Sequence, residues 1–299
     1  MSQDRRPLLL ILNPTAAGGA SAQALDRAVQ VLEASGASFR VAKSEGPDEV
    51  ATLARSALRV GEMPVAVGGD GTLACLVRAM AGDGGCVGLI PAGRGNDFAR
   101  VVGIPTDPRE AARTLLEGED RLLDLGEANG KPFLGIASFG FDSEANRIAN
   151  ETKVIRGSPV YVYAALRALI SWRPARFEIS SPGLADREFI GWSVAIANNQ
   201  AYGGGMFIAP DADLQDGLFD VVTIAGTRKL RFLGAMPRLF KGTHVQDADV
   251  EVVRAAEIRV SSDRPFDVYA DGDLLTRLPV TARVLPSALK IRVPVAGGS

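Results

Sequence analysis

Three glycine-rich turns each stand between a short apolar run and a segment of helical spacing, and this arrangement restricts the amino-terminal half to one kind of fold. The turns are "NPTAAGGAS" (13–21) after "LLLIL", "GGDGT" (68–72) after "PVAV", and "PAGRGNDFAR" (91–100) after "CVGLI". Strands alternating with helical segments at 21–35, 48–60 and 72–82 predict a parallel α/β sheet covered on both faces. In open sheets of this type ligands bind beyond the carboxyl ends of the strands, where all three turns fall. A glycine turn that opens a helix exposes backbone N–H groups and the positive helix end, which together suit a phosphate. The same residues also suit a turn that merely closes tightly, with glycine wherever a side chain would block a close approach.

Asp70 separates these readings, because a bare carboxylate repels phosphate unless a cation lies between them; it points to Mg²⁺. Thr72 is the expected N-cap of the helix after "GGDGT". Asn96 and Asp97 fit a second helix start, and Arg94 fits either a phosphate contact or a solvated loop cation. Beyond residue 126 the texture changes to strands such as "REFIGWSVAIANN" and "LFDVVTIAG", separated by Gly, Pro and Asp turns, with one long helix expected over 143–171. This reads as an antiparallel sandwich or barrel. The expected organisation is an α/β domain over 1–125 and an all-β domain over 126–299, whose last strand returns toward the first.

Composition removes several chemistries. A formal net charge of −2 gives no general attraction to nucleic acid. Cys75 and Cys86 are too few for a disulfide framework, which points to a reducing, cytoplasmic setting. His244 is the single histidine, so triads, Cys/His dyads and histidine metal sites are out of reach. No apolar run approaches the length of a membrane span. Carboxylates must carry any catalysis.

The series "NPTAAGG", "GGDGT" and "PAGRGNDFAR", in this order and spacing, resembles the catalytic domain of bacterial diacylglycerol kinases and related lipid kinases, including sphingosine kinases; "GGDGT" alone is shared with NAD kinases. "YGGGMFIAPDADLQDGLFDVV" (202–222) and "VYADGDLL" (268–275) are similar to the family's second domain, so the resemblance spans 8–293. It implies an active site in the cleft between an α/β domain and a β-sandwich. It implies ATP contacts at Asn13, Pro14, Thr15, Ala16, Ala17, Ser44, Gly68, Gly69, Asp70, Gly71, Thr72, Leu73, Arg94 and Asn96. It also implies a water-bridged Mg²⁺ network on Asp70, Asp97 and Asp124, and a second cation at Asp213, Asp216 and Leu218. An ordinary turn explains Asp124 and the Asp-Gly pair at 216 equally well.

In this family the first Asp of an Asp-Gly-acid motif is the general base, which is Asp271 here. An alcohol is a poor nucleophile, and phosphoryl transfer needs a carboxylate that can take its proton. "DG" between alternating segments is equally a hairpin turn. The sequence departs from the family at Ala74 and Cys75, where a polar pair is usual, at Arg94, where Thr is usual, and at Asp273, where Glu is usual. The stretch 227–244 carries Arg228, Lys229, Arg231, Arg238 and Lys241 among apolar residues and no acid. It fits a peripheral contact with the anionic inner face of the membrane or a solvated helix; 160–176 has a similar blend of basic and apolar residues, whose helical spacing favours core.

The resulting expectation is an ATP- and Mg²⁺-dependent kinase acting on a lipid hydroxyl, diacylglycerol before monoacylglycerol, ceramide, a sphingoid base or phosphatidylglycerol, with a homodimer expected by base rate. The alternatives are a soluble-substrate kinase of the NAD kinase type and a nucleotide- or lipid-binding regulator without turnover.

Overall fold

The run Leu8–Leu12 (β1) is buried at every position, so both of its faces must be covered. A computed structural model describes residues 6–14, 19–152, 159–226 and 229–295, and shows how this is done. The chain divides into two compact units, Met1–Leu125 with Gly203–Gly205 and Pro286–Ser299, and Gly126–Tyr202 with Met206–Leu285.

In the first unit β1 is followed by α1 (Ala20–Ala34), β2 (Phe39–Lys43), α2 (Pro47–Arg59), β3 (Met63–Gly68), α3 (Asp70–Met80), β4 (Cys86–Pro91), α4 (Asp97–Val101), α5 (Pro108–Glu117) and β5 (Glu119–Ala128). β1 pairs in parallel with β2 and β3, and β3 with β4. Helix α1 turns Ala24, Ala28 and Leu32 inward, a spacing of four that makes one apolar stripe. These residues pack with Leu8, Leu10 and Leu12 and with Ala112, Leu115 and Leu116 of α5. Leu9 and Ile11 point to the opposite face, which α2 covers. Asp107 caps α5 by accepting from the N–H groups of Arg109 (2.9 Å) and Glu110 (3.2 Å), with Pro108 pre-set at the first helical position.

The second unit contains β6 (Lys131–Phe133), β7 (Ile136–Gly140), α6 (Phe141–Glu151), α7 (Pro159–Ser171), β8 (Ala175–Ser180), β9 (Arg187–Ala197), β10 (Phe219–Ala225), α8 (Lys229–Leu239), β11 (Val250–Ala255), β12 (Glu257–Ser262), β13 (Asp267–Ala270) and β14 (Asp273–Arg277). It also contains the first part of β15 (Val280–Val293), up to Leu285; the rest of that strand belongs to the first unit, where it pairs with β4. The strands run β14-β13-β7-β9-β8-β12-β15, with β10 joining β9 to β11, and form an antiparallel sandwich. Period-two residues of β8 (Ala175, Phe177, Ile179), β12 (Ile258, Val260) and β15 (Val280, Ala282, Val284) meet Phe139, Val194, Ile196 and Phe219 in its core. The outer face of β9 is covered too, by Phe141, Ala168, Trp172 and Phe232 around Trp192.

Two local expectations change. Gly69, not Thr72, is the N-cap residue of α3, and Thr72 lies in its first turn. The single helix expected over 143–171 is two: α6 ends at Glu151, and α7 opens at Pro159, a residue suited to a first helical position. No helix among the described residues is long and apolar enough to cross a membrane.

Phe177 is fully buried and stacks with Phe189 (5.5 Å between centroids) and Phe266 (5.7 Å). Phe177→Ala is expected to lower the stability of the second unit by about 3–5 kcal/mol in a denaturant titration. A loss below about 1 kcal/mol would contradict the packing described.

Candidate active site

The glycines of the second and third turns are required by each other. A Cβ on Gly69 would stand 2.9 Å from Cα of Gly93, and one on Gly93 would stand 2.5 Å from Cα of Gly69, so neither position admits a side chain. The Ala92 N–H donates to the Gly68 carbonyl (2.8 Å), locking the turns together. Asn96, in the left-handed region (φ 51°), clamps Gly93 from both sides: its Oδ1 accepts from the Gly93 N–H (2.8 Å) and its Nδ2 donates to the Gly93 carbonyl (3.0 Å). Asp70 and Gly71 occupy the first turn of α3, where backbone N–H groups have no carbonyl within the helix. A Cβ on Gly71 would face open space. Leu73 is fully buried, and its N–H donates to the Gly69 carbonyl (3.1 Å).

Asp70 reaches across to the next helix. Its Oδ2 accepts from the Asp97 N–H (3.2 Å) and its Oδ1 from the Phe98 N–H (3.0 Å), so it caps α4 from outside. Asp97 is only 6% exposed, and its Oδ2 accepts from the Gly204 N–H (2.7 Å). Its Oδ1 is buried with no hydrogen-bond partner, the Arg100 guanidinium lying 3.7 Å away. Burial pushes the Asp97 carboxyl above its ordinary range; the Gly204 hydrogen bond opposes this and the Asp70 charge adds to it.

The chemistry of this pair could suit a divalent cation: from the point where a Cβ on Gly95 would stand, Asp97 Oδ2 is 3.1 Å and Asp70 Oδ2 3.2 Å away, and the other Asp97 oxygen, Oδ1, is left without a hydrogen bond. Among the described residues no group of three or more acidic, His or Cys side chains is spaced to hold a metal. Asp124, 4% exposed, instead accepts the Ser287 N–H at 2.7 Å. Ser44, also buried, joins the end of β2 to the Leu12 carbonyl through its N–H (2.8 Å), and Ser21 Oγ donates to the Asn13 carbonyl (2.9 Å). Pro14 follows Asn13 in the described part of this turn; Thr15, Ala16 and Ala17 lie outside the described residues. Arg94 is exposed on its loop.

In the second unit Asp271 (φ 55°) and Gly272 (φ 90°) form the turn between β13 and β14, two positive φ values in succession as a tight hairpin requires. The carboxylate is not left to solvent. The Leu134 N–H donates to its Oδ2 (2.9 Å) and the Gly135 N–H to its Oδ1 (2.8 Å). Asn198 fastens that pair by donating from Nδ2 to the Leu134 carbonyl and from its backbone N–H to the Gly135 carbonyl, both at 3.0 Å. Asp273 is exposed at the start of β14. At the start of α6, just beyond β7, Asp142 Oδ2 accepts from the Tyr202 hydroxyl (3.3 Å). Burial pushes the Asp142 carboxyl up to about 6, against the pull of that hydroxyl. Leu134, Gly135, Asn198, Asp142, Tyr202 and Gly204 escaped the sequence reading; the amide doublet ending "AIANN" is the signal that could have drawn attention to the site.

The loop at 213–218 is closed by its own backbone: Asp213 Oδ1 accepts from the Gln215 N–H (3.0 Å) and Asp216 Oδ1 from the Leu218 N–H (2.9 Å). The Arg254 guanidinium bridges Asp216 and Asp220, a pairing that the spacing of this loop did not announce. In the basic stretch Arg228 lies outside the described residues, Arg231 pairs with Asp249 (2.8 Å) and Arg238 with Asp247 (2.5 Å). Phe232 is buried against Trp192 (4.2 Å, stacked), so that apolar side chain is spent on the unit's own core.

The buried Asp97 charge has a measurable consequence. A carboxyl raised above its unfolded value binds protons preferentially in the folded state, so its contribution to stability falls as pH rises from the ordinary carboxylate range through the folded value. Without added cation, Asp97→Asn is therefore expected to gain in melting temperature relative to the parent as pH is raised from 4 to 7. A difference independent of pH would show that Asp97 carries no such penalty.

The model of the diacylglycerol kinase catalytic domain matches residues 7–128, and that of the YegS C-terminal NAD kinase beta sandwich-like domain matches 135–293. A diacylglycerol kinase of Mycobacterium tuberculosis is 32% identical, covering 96% of this chain and 95% of its own length. A probable YegS-like lipid kinase of Pseudomonas aeruginosa is 31% identical over 97% of this chain and 95% of its own. The crystal structure of a putative diacylglycerol kinase from Bacillus anthracis superposes with a TM-score of 0.80 at 21% identity, covering 98% of each chain. With paired glycine turns and an acidic pair in one unit and a clamped carboxylate in the other, this chain belongs to the diacylglycerol kinase family of lipid kinases.

Proposed function

We propose that this kinase transfers the γ-phosphate of ATP to the free hydroxyl of diacylglycerol, giving phosphatidic acid, with Asp271 as the general base. The observation that carries this reading is the clamp on Asp271: the Leu134 and Gly135 N–H groups fix the orientation of its carboxylate at the turn between β13 and β14. Phosphoryl transfer passes through a loose transition state in which proton removal comes late, so a carboxylate of modest basicity suffices. The open backbone around Gly71 and the first-turn N–H groups of α3 suit the phosphates. Asp70 and Asp97 are the residues that would hold Mg²⁺, which when bound would supply neutralisation of the phosphate charge.

A lipid acceptor also needs a way to the bilayer. Leu166 and Ile170, one helical turn apart on α7, are 50% and 82% exposed, and Lys229 Nζ lies 2.8 Å from the Ile170 carbonyl. These apolar side chains of α7, beside the lysine that opens α8, suit a shallow contact with an anionic surface better than Arg231 and Arg238 farther along α8, which are paired with acids.

Two outcomes test this reading. Asp271→Asn should lower kcat by about 10²-fold or more with ATP affinity retained, measured as transfer of labelled phosphate to diacylglycerol in mixed micelles beside an NAD control; turnover near the parent's, or label on NAD alone, would overturn the assignment. Ile170→Glu should reduce binding to anionic vesicles and activity on vesicle-borne diacylglycerol by about 10-fold, while a dispersed short-chain diacylglycerol is phosphorylated normally. Equal loss on both substrates would argue for damage to the fold.

A further inference from the structure

Two asparagines follow β9, and only the first has a structural task. Asn198 fastens the Leu134–Gly135 turn, as described above. Asn199 is 3% exposed, and its Oδ1 is buried with no hydrogen-bond partner. Its amide nonetheless has a defined neighbour. From the point where a Cβ on Gly135 would stand, Asn199 Nδ2 is 3.4 Å and Oδ1 3.6 Å away, and Asp271 Oδ1 is 3.1 Å away. The amide and the carboxylate therefore flank the same bare Cα. Any side chain at 135 would press on both.

Buried polar atoms in folded proteins are nearly all satisfied, and exceptions concentrate where a ligand completes them. An alcohol oxygen carries one proton and two lone pairs, which is what this corner can use. We propose that Asn199 binds the oxygen of the acceptor hydroxyl beside Asp271, as a second substrate-contacting residue of the transfer; this rests on the reading of Asp271 as the base. The hydroxyl gives its proton to the Asp271 carboxylate, and one lone pair forms the new bond to the γ-phosphorus. The other lone pair accepts a hydrogen bond from the Asn199 NH₂, which half a turn of the amide brings to the position of Oδ1. The bond from γ-phosphorus to the bridging oxygen breaks with its electrons on ADP, and Asn199 remains neutral throughout. Its contribution is to orient the nucleophile and to stabilise the negative charge that grows on its oxygen as the proton leaves.

The test uses the full chain with Mg²⁺-ATP and short-chain diacylglycerol in mixed micelles. Asn199→Ala is expected to lower kcat by at least about 10-fold, with KM for ATP unchanged within a factor of two. Its melting temperature should equal or exceed the parent's, because no hydrogen bond is lost. Asn199→Ser, which keeps a short donor, should recover part of the rate. The proposal is overturned if Asn199→Ala turns over like the parent, if its rate falls only together with its melting temperature, or if Asn199→Ser is no better than Asn199→Ala. Asp271→Asn measured alongside separates the two assignments. If that variant is inactive while Asn199→Ala is normal, only the role of Asn199 fails; if it retains turnover, the base assignment fails.

Discussion

The contact between two bare backbones, Gly69 against Gly93, sets the geometry of the first unit's candidate site. An added Cβ at either position would fall 2.5–2.9 Å from the other residue's Cα, closer than side-chain carbons approach backbone. Because the turns touch, the Asp70 carboxylate can leave its own helix and cap α4 through the Asp97 and Phe98 N–H groups. Asp97 then lies within the Coulomb field of Asp70 and takes the Gly204 N–H on one oxygen. An acid that would be an ordinary solvated cap on a looser turn becomes half of a buried carboxylate pair. The sequence "GGDGT" is thus explained by packing and by chemistry at once, since the closeness that excludes side chains also gathers the charge.

The second unit reaches its key carboxylate by strand register. β13 pairs with β7 at Tyr269–Ser138 and Ala270–Ala137, which brings the following Asp271 level with the residues just before β7. β7 in turn pairs with β9, ending at Ile136–Ala197, which brings Asn198 and Asn199 to the same end. Antiparallel register fixes which residues meet, and a slip of one position would turn Asp271 away from the Leu134 and Gly135 N–H groups. The hairpin reading of "ADGD" is compatible with the functional one: the turn presents the acid, and the neighbouring turn holds it.

What could be read from the sequence was local. Strand and helix alternation, the glycine turns and the Asp-Gly hairpin depend on residues close in the chain, and their spacing carries the information. What escaped was non-local. Thr72 looked like a cap because local preference favours Thr, yet Gly69 begins the helix while Asp70 serves another one. Asp124 is satisfied by Ser287, 163 residues away, which no spacing rule announces. The basic stretch at 227–244 looked uncompensated because its acids, Asp247 and Asp249, follow just beyond it and fold back as partners. The continuous apolar run of β9 carried too little period-two signal to show that helices cover its outer face.

Asp97 Oδ1 and Asn199 Oδ1 share a property that composition and motifs do not reveal: each is a buried oxygen that the described residues leave without a hydrogen bond. An unmet polar atom of this kind costs about 1–3 kcal/mol, a large part of a typical net stability of about 5–15 kcal/mol. Being unmet is not a sufficient sign of function. His244 Nδ1 is also buried without a partner, but its Nε2 lies 3.1 Å from the Ile208 carbonyl and burial lowers its pKa, so a neutral ring tolerates one unused lone pair. Asp97 and Asn199 differ from it in their company. Each sits beside another carboxylate at a glycine that a side chain would obstruct, Gly95 for one and Gly135 for the other. A neighbouring carboxylate and a bare glycine beside a buried unmet oxygen set these two residues apart from His244, and it is this company, not the missing hydrogen bond alone, that the proposals for a cation and for an alcohol rest on.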